Sequence, residues 1–298
     1  MKLLFEETKL GNMKLKNRFV RSATWENMAT EEGLLTDPLI KIYEDLAKSD
    51  VGLIITGYAN VLQEEKPNPG MMGIYSDKFV NEYQKLTNLV HEYGSKIIMQ
   101  IAYGGTKTTY QTEERIIYAP SEIPERSTHT VGKAMTKEEI VIVENAFADA
   151  AKRIQEAGFD GVEIHGAHTY LINQFLSPYY NKRTDEYGGS LDNRMRFLNE
   201  IYGKIRKQVG QDFTIVIKLT SSEFFDGGLT FDDTRQICKK MEQIGVDAIE
   251  FFGLSRPLLA EPDLIKRWKE GVRKKAICLS CSKCRTNDGN YCTIFKKG

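Results

Sequence analysis

The chain has 298 residues, with 41 basic and 41 acidic side chains and a net charge of zero. This balance argues against nucleic acid as the main partner, because nucleic-acid binding needs a basic surface. The sequence has no apolar stretch long enough to span a bilayer, and its first residues lack the apolar core of a signal peptide. We therefore expect a cytoplasmic protein without a membrane or nucleic-acid partner.

The elements follow a regular order from the amino terminus. Gly11 and Asn12 lie between two short alternating runs, which predicts a hairpin with a two-residue turn. Six apolar, strand-like runs follow, at 18–24, 51–59, 96–103, 160–166, 213–220 and 246–253. Helical patterns lie between them, and four have clear ends: 76–94, 136–158, 190–210 and 230–245.

Alternation of strands and helices predicts an α/β fold with a parallel sheet covered by helices. Both an open doubly wound sheet and a closed (β/α)₈ barrel fit the pattern. The hairpin and the lack of a GxGxxG motif after the first strand favour the barrel. In either fold the functional end is the carboxyl end of the strands. Segment 104–135 has no clear periodicity and is either a lid or binding element or a surface excursion.

Two of the four histidines lie in the stretch EIHGAHTYL, residues 163–171. His165 and His168 can reach one site only if the chain turns after His165, which Gly166 and Ala167 permit. Three interpretations are open: a metal site that includes Glu163, two hydrogen-bonded structural histidines, or two donors for an oxygen that gains negative charge. Tyr170 is a weak acid close enough to act at the same place.

The run HGAHTYLINQFLSPYYNKRTDEYGGSLDNRMRF follows, over 165–197. It resembles the signature segment of the old yellow enzyme family of FMN-dependent NAD(P)H:flavin oxidoreductases and ene-reductases. Stretches 15–26, 97–105 and 256–271 also resemble the first strand, the third strand and the closing segment of that family. The resemblance covers nearly the whole chain and implies a TIM (β/α)₈-type barrel with FMN at the carboxyl ends of its strands.

The resemblance implies a role for each matching residue. His165 and His168 would bond the carbonyl oxygen of an α,β-unsaturated substrate or the nicotinamide amide, and Tyr170 would supply a proton to the α-carbon. Lys218 would stabilise the negative charge of reduced flavin. The other cofactor-binding residues implied are Ala23, Thr24, Gly57, Gln100 and Arg256.

The match breaks near residue 250. Residues 245–250 resemble the sixth strand of the family, and residues 251–259 resemble the end of the eighth strand and the segment after it. About 60–80 residues of an eight-unit barrel are missing between them, so strand seven and most of strand eight are absent. We expect an incomplete barrel that closes with fewer strands, borrows strands from a second copy, or folds poorly and binds FMN weakly or not at all.

Four of the five cysteines crowd the last part of the chain, at Cys278, Cys281, Cys284 and Cys292. Four thiolates can hold a [4Fe–4S] cluster or zinc. The spacing resembles the cluster motif of larger relatives such as trimethylamine dehydrogenase and 2,4-dienoyl-CoA reductase. Reduced thiols without a metal are the alternative. We expect this tail, 276–298, to end a single FMN-binding barrel domain that uses residues 1–298.

The leading interpretation is an FMN-dependent NAD(P)H oxidoreductase that reduces activated alkenes. Hydride would pass from NAD(P)H through the flavin to the β-carbon of an enone or related small molecule. One alternative is a deletion remnant or binding module without bound flavin. Another is an iron–sulfur flavoprotein of the 2,4-dienoyl-CoA reductase type. The sequence leaves the formation of a homo-oligomer open.

Overall fold

The computed structural model describes residues 3–250, 256–272, 274, 276–278, 283–286 and 289–294. The strands are β1 Thr8–Leu10, β2 Met13–Leu15, β3 Val20–Arg21, β4 Leu53–Ile55, β5 Ala59–Asn60, β6 Met72–Gly73, β7 Lys96–Ala102, β8 Tyr118–Ala119, β9 Lys133–Ala134, β10 Gly161–Gly166, β11 Thr214–Leu219, β12 Ala248–Glu250, β13 Arg285–Thr286 and β14 Gly289–Asn290.

The α-helices alternate with the longer strands, as the sequence predicts. They are α1 Asp37–Lys48, α2 Val80–Glu92, α3 Lys137–Glu156, α4 Leu171–Leu176, α5 Leu191–Val209, α6 Phe231–Gln243, α7 Arg256–Ala260 and α8 Leu264–Lys269. A 3₁₀ turn, Asp77–Phe79, precedes α2. No helix in the described part of the chain combines the length and apolar character that crossing a bilayer requires.

The predicted helix ends are confirmed by their caps. Thr136 and Glu139 form a capping box at the start of α3, and Thr230 and Asp233 form one at α6. The side chain of Ser190 caps the first turn of α5. The bounds of α1 were not predicted, although its start carries its own signals: the Thr36 side chain as N-cap and proline in the first turn.

The order of the strands distinguishes the two candidate architectures. The main sheet runs β3-β4-β7-β10-β11-β12, and every neighbouring pair is parallel. Spatial order therefore follows chain order without reversal, as in a (β/α) barrel, whereas a doubly wound sheet reverses at a switch point. The described residues supply six barrel positions, so the barrel is incomplete over that part of the chain, as expected.

Two predicted strands are shorter than the sequence indicated. Run 18–24 forms a ladder only at Val20–Arg21, because β3 pairs only with β4 in the described residues. Run 51–59 is broken between β4 and β5. There the Arg21 guanidinium donates to the carbonyl of Ile55 at 2.7 Å, and the Gly57 amide donates to the Tyr43 hydroxyl at 3.0 Å. Side chains thus take two backbone groups that a continuous ladder would use.

The outer face of the sheet packs against the helices, and the inner face has two layers. Near the amino ends of the strands, the inner layer is apolar and includes Leu53, Ile55, Ile98 and Val216. The hairpin β1–β2 adds Met13 and Leu15 to this cluster, after the predicted Gly11–Asn12 turn. Towards the carboxyl ends, the inner layer becomes polar. The hairpin therefore fills the amino end, and the polar layer marks the functional end.

The closing segment packs back beside the first strand. Leu258, Leu264 and Ile265 are buried in the main core, and the Trp268 ring lies 6.1 Å from the ring of Phe19. Strand β12 at the other edge of the sheet is only half-buried over its whole length. Within the described residues, no strand pairs with β12 on its far side, so the sheet has an open edge there.

Candidate active site

Strand register places the polar inner residues side by side. Glu163 on β10 pairs with Gln100 on β7, and His165 pairs with Lys218 on β11. Lys218 in turn pairs with Glu250 on β12. Since side chains two apart on a strand share a face, Glu163 and His165 both point inward with these partners. Four strands thus assemble a polar layer that no single stretch of sequence contains.

A cavity of about 730 Å³ opens over this layer. Its size is within the range of small-molecule and cofactor sites. Among the residues that line it are seven that the sequence marked as functional: Ala23, Thr24, Gln100, His165, His168, Tyr170 and Lys218. The structure therefore brings the three predicted catalytic residues and four of the predicted cofactor-binding residues to one place.

The two histidines meet because the chain turns after β10. His168 and Thr169 have φ of 58° and 62°, the left-handed region that reverses the chain direction. The Thr169 amide then donates to Asn173 Oδ1 at 2.9 Å, which fixes the turn. His165 Nε2 and His168 Nδ1 end 3.4 Å apart. Two nitrogens at this separation can both contact one oxygen atom, as the donor interpretation requires.

The surroundings of both imidazoles favour their neutral form. Burial lowers the pKa of His165 well below its usual value, and repulsion from a protonated His168 and from Lys218 lowers it further. Burial and Lys218 also lower the pKa of His168, against an opposing effect of Glu250. A neutral imidazole has one N–H donor. Two donors on one oxygen therefore require the proton on Nε2 of His165 and on Nδ1 of His168.

Tyr170 lies against His165, with ring centroids 4.7 Å apart. A second phenol, Tyr58, packs edge-on against Tyr170 at 5.7 Å and stacks on His165 at 6.4 Å. The side chain of Asn68 donates to both hydroxyl oxygens, at 2.9 Å to Tyr58 and 3.3 Å to Tyr170. Two phenol groups therefore lie beside the histidine pair.

Lys218 holds a buried charge beneath the cavity. Its ammonium group donates to Ser22 Oγ at 2.7 Å and lies 3.1 Å from Glu250 Oε2. Burial raises the pKa of Glu163 well above its usual value, and the hydrogen bond and charge of Glu250 raise it further. Burial also acts to raise the pKa of Glu250, but the hydrogen bond from Glu163 and the charge of Lys218 outweigh it and lower that pKa. These opposite shifts favour the proton on Glu163 and the negative charge on Glu250, which faces Lys218.

Gln100 and Gly57 take positions that the resemblance alone does not describe. Gln100 lines the cavity, and its amide nitrogen donates to Glu163. Gly57 is not among the residues that line the cavity. A β-carbon at this position would lie 2.1 Å from Glu26 Oε2 and 2.8 Å from the Thr24 carbonyl oxygen. In the structure, close packing against Glu26 accounts for the glycine.

Arg256 begins α7, and its side chain lies outside the described residues. Cys281 also lies outside them. Cys278, Cys284 and Cys292 are half-buried and free of disulfides, and Cys284 lines the cavity. No group of three or more metal-ligating side chains occurs within the described ranges, and Glu163, the candidate ligand beside the histidines, bonds Gln100 instead. The predicted tail cluster stays a prediction.

Several cavity residues were not identified from the sequence. They are Tyr58, Asn68, Lys107, Thr108, Thr109, Ser127, Thr128, Leu259 and Asn290. Five of these come from segment 104–135, which therefore forms part of the cavity wall. The sequence carries one signal for Asn68: the stretch KPNPG, 66–70, in the loop after the second strand-like run, places a polar side chain between two prolines.

The cavity fits the polar edge of a flavin. Lys218 and Gln100 offer a cation and an amide at its floor, and Nδ1 of His165 is buried without a hydrogen-bonding partner in the described part of the chain. An unsatisfied buried polar atom is unusual unless a ligand or water completes it.

The profile of the NADH:flavin oxidoreductase / NADH oxidase family matches residues 3–254. The chain is 39% identical over 249 residues to an NADPH dehydrogenase of Geobacillus sp. (strain WCH70). The matched region covers 83% of this chain and 72% of that protein. It is 38% identical over 275 residues to an NADH oxidase of Thermoanaerobacter brockii. Here the matched region covers 91% of this chain and 42% of that protein. The chain thus spans about two fifths of the length of this second relative.

Solved structures share the fold. A 2-naphthoyl-CoA reductase in complex with 2-naphthoyl-CoA has a TM-score of 0.85 and 26% identity, over 90% of this chain and 52% of that one. The old yellow enzyme from Pichia sp. AKU4542 has a TM-score of 0.82 and 26% identity, over 93% of this chain and 89% of that one. These similarities confirm the expected TIM-type barrel fold and its family resemblance.

Proposed function

The chain belongs to the NADH:flavin oxidoreductase / NADH oxidase family, and from this we propose that it is an FMN-dependent NAD(P)H oxidoreductase that reduces the alkene of α,β-unsaturated carbonyl compounds. Members of the family are oxidoreductases that use a flavin. The finer proposal concerns FMN as the flavin and an activated alkene as the acceptor.

One observation carries the proposal. His165 Nε2 and His168 Nδ1 converge 3.4 Å apart in a cavity that also contains Tyr170 and Lys218. Reduction of an enone needs donors for its carbonyl oxygen, an acid near its α-carbon and a hydride source. Neutral histidines and a tyrosine supply the first two from residues of this chain.

Each residue has a separate task in the proposed reaction. His165 and His168 donate to the substrate carbonyl oxygen and stabilise the negative charge that develops there. Tyr170 gives its hydroxyl proton to the α-carbon. Lys218 and Gln100 bind the polar edge of the ring system, and bound FMN would supply hydride exchange between NAD(P)H and the β-carbon.

The direct test is the absorbance spectrum of the purified protein, before and after addition of FMN. We expect a yellow protein, or one that takes up FMN, that oxidises NADPH or NADH when 2-cyclohexenone is present. A colourless protein that does not bind added FMN would refute the proposal. The protein could instead bind flavin and oxidise NAD(P)H but reduce no enone. That result would agree with the family activity and refute the proposal that an activated alkene is the substrate.

A second candidate is an iron–sulfur flavoprotein. Cys284 lines the same cavity as His165 and Lys218, which would bring a cluster at the tail close to a bound flavin. Iron and acid-labile sulfide in stoichiometric amounts would support this candidate. Their absence from protein purified without oxygen would refute it and leave the first proposal unaffected.

A further inference from the structure

We propose that Asn68 is a positioning residue for proton delivery, and that it holds the phenol groups of Tyr58 and Tyr170 as a pair beside His165. This inference rests on the proposed function, because it concerns the support of the proposed proton donor.

The pairing follows from the contacts of one amide group. The two N–H bonds of an asparagine side chain point in different directions, so each can reach its own acceptor. Asn68 Nδ2 lies 2.9 Å from the hydroxyl oxygen of Tyr58 and 3.3 Å from that of Tyr170. The Tyr58 ring also packs against both His165 and Tyr170, at 6.4 and 5.7 Å between ring centroids.

The backbone around Asn68 is built to hold this side chain still. Pro67 and Pro69 flank it, and each proline fixes its own φ and restricts the residue before it. The carbonyl of Pro67 accepts from Thr108 Oγ1 at 2.7 Å, and that of Pro69 accepts from Trp25 Nε1 at 3.0 Å. Rigid support of this kind lowers the entropy lost when a catalytic group is oriented.

In the proposed reaction, the hydrogen bond from Asn68 stabilises the Tyr170 oxygen as it loses its proton. When the α-carbon forms its C–H bond, the O–H bond of Tyr170 breaks and its oxygen becomes negative; a bound flavin would supply the hydride that the β-carbon receives. The hydrogen bond from Asn68 then has a charged acceptor, which makes it roughly twice as strong as before. An interaction that strengthens as the reaction proceeds lowers the barrier. Solvent water returns the proton to Tyr170.

The test compares two ways of reoxidising the reduced protein. In wild type, Asn68→Leu and Asn68→Asp, the flavin is reduced with NADPH and then oxidised by 2-cyclohexenone or by ferricyanide. Ferricyanide takes electrons without placing a proton on carbon. We expect both substitutions to slow oxidation by the enone about tenfold to hundredfold and to raise its solvent isotope effect, whereas oxidation by ferricyanide changes less than about twofold.

Glu64→Gln is the matched control, because Glu64 is an exposed residue of the same loop. It should leave both oxidation rates at the wild-type level. Equal losses with both oxidants in the Asn68 variants would show a merely structural role and overturn the inference, as would unchanged enone rates. A wild-type protein that binds flavin but reduces no enone would instead overturn the proposed function.

The pairing itself is also measurable without flavin. In ¹⁵N-labelled protein, Tyr58→Phe and Tyr170→Phe should each shift the side-chain amide resonances of Asn68, because each removes one acceptor. Resonances that stay in place in both variants would overturn the inference whatever the activity of the protein.

Discussion

The ammonium group of Lys218 lies 3.1 Å from the carboxylate of Glu250, its register partner on the neighbouring strand. This contact pairs the cation beneath the cavity with an anion at the last described position of β12. The positive charge offered to a ligand above it is therefore partly cancelled by a residue that does not line the cavity.

Glu250→Gln should raise the midpoint potential of bound FMN. Reduction adds negative charge to the flavin, and removal of the Glu250 charge leaves Lys218 better able to stabilise it. A tenfold gain for the reduced state corresponds to about 30 mV for a two-electron couple. Potentials are measured by dye-equilibrated reduction, with the exposed residue variant Glu242→Gln as control.

Glu163 complicates this test, because its carboxyl group interacts with that of Glu250 and can take over the negative charge. The double variant Glu163→Gln with Glu250→Gln removes both carboxyl groups. A potential equal to that of wild type in the double variant would show that these charges do not act on the flavin.

Lys218→Met should weaken FMN binding by about tenfold to hundredfold, since hydrogen bonds to charged groups contribute roughly 1.5–3 kcal/mol. It should also destabilise the apoprotein, because Glu250 then stays buried without its cation. Fluorescence titration with FMN and urea unfolding measure the two effects. Combining Lys218→Met with Glu250→Gln should restore stability but not affinity.

The control for this experiment is Lys207→Met, at an exposed position on α5. It removes the same charge far from the cavity floor and should change neither quantity. If Lys218→Met binds FMN as tightly as wild type does, the flavin does not contact Lys218 and this prediction is wrong.

Stability should fall as the pH drops below about 6.5, the ordinary pKa of histidine. The folded-state pKa of both His165 and His168 is lowered, so the unfolded chain binds more protons in this range. The stabilising contribution is complete above that pH and is lost below it, with a slope of up to about 1.4 kcal/mol per pH unit for each histidine.

The variant His165→Asn with His168→Asn should lose less stability than wild type between neutral and mildly acidic pH. Asparagine tolerates the left-handed backbone of His168. His129→Asn is the control, because His129 is exposed and also has a positive φ of 59°. Urea unfolding at each pH gives the comparison, and identical pH slopes in the double variant and wild type would contradict the expectation.

Gly57→Ala should reduce the free energy of unfolding by about 1–3 kcal/mol. The added methyl group would meet Glu26 Oε2 and the backbone oxygen of Thr24, both at less than van der Waals distance. Gly203→Ala in α5 is the opposite case, since a β-carbon there meets nothing within 4 Å and alanine favours helix by roughly 0.5–1 kcal/mol. A neutral effect of Gly57→Ala would mean that Glu26 moves aside.

Local signals predicted much of this architecture. Capping residues such as Thr136 and Thr230 act within one helical turn, so the sequence shows them directly. Apolar strands next to two partners, such as β7, β10 and β11, also matched their predicted ranges closely. Two strand-like runs were overestimated. The first forms a ladder only where it pairs with β4, and the second is interrupted because Arg21 and Tyr43 bond backbone groups of Ile55 and Gly57.

The site residues within the family motif were predictable from the sequence. Contacts that depend on the register between strands were not. His165, His168 and Tyr170 lie within six residues of each other and share a recognisable pattern. The contact between Lys218 and Glu250 depends on how two strands 32 residues apart align. Asn68 reaches Tyr170 across 102 residues of chain, a distance that local patterns do not encode.

The hairpin that places Met13 and Leu15 in the inner core has a kinetic consequence. It covers the amino end of the sheet, and the polar layer faces the cavity at the carboxyl ends of the strands, so we expect molecules to enter and leave there. A nicotinamide donor and an alkene acceptor would then occupy the same space in turn, and each would exclude the other. Initial rates at several fixed concentrations of the donor should give parallel double-reciprocal lines, and an excess of either reactant should inhibit the other.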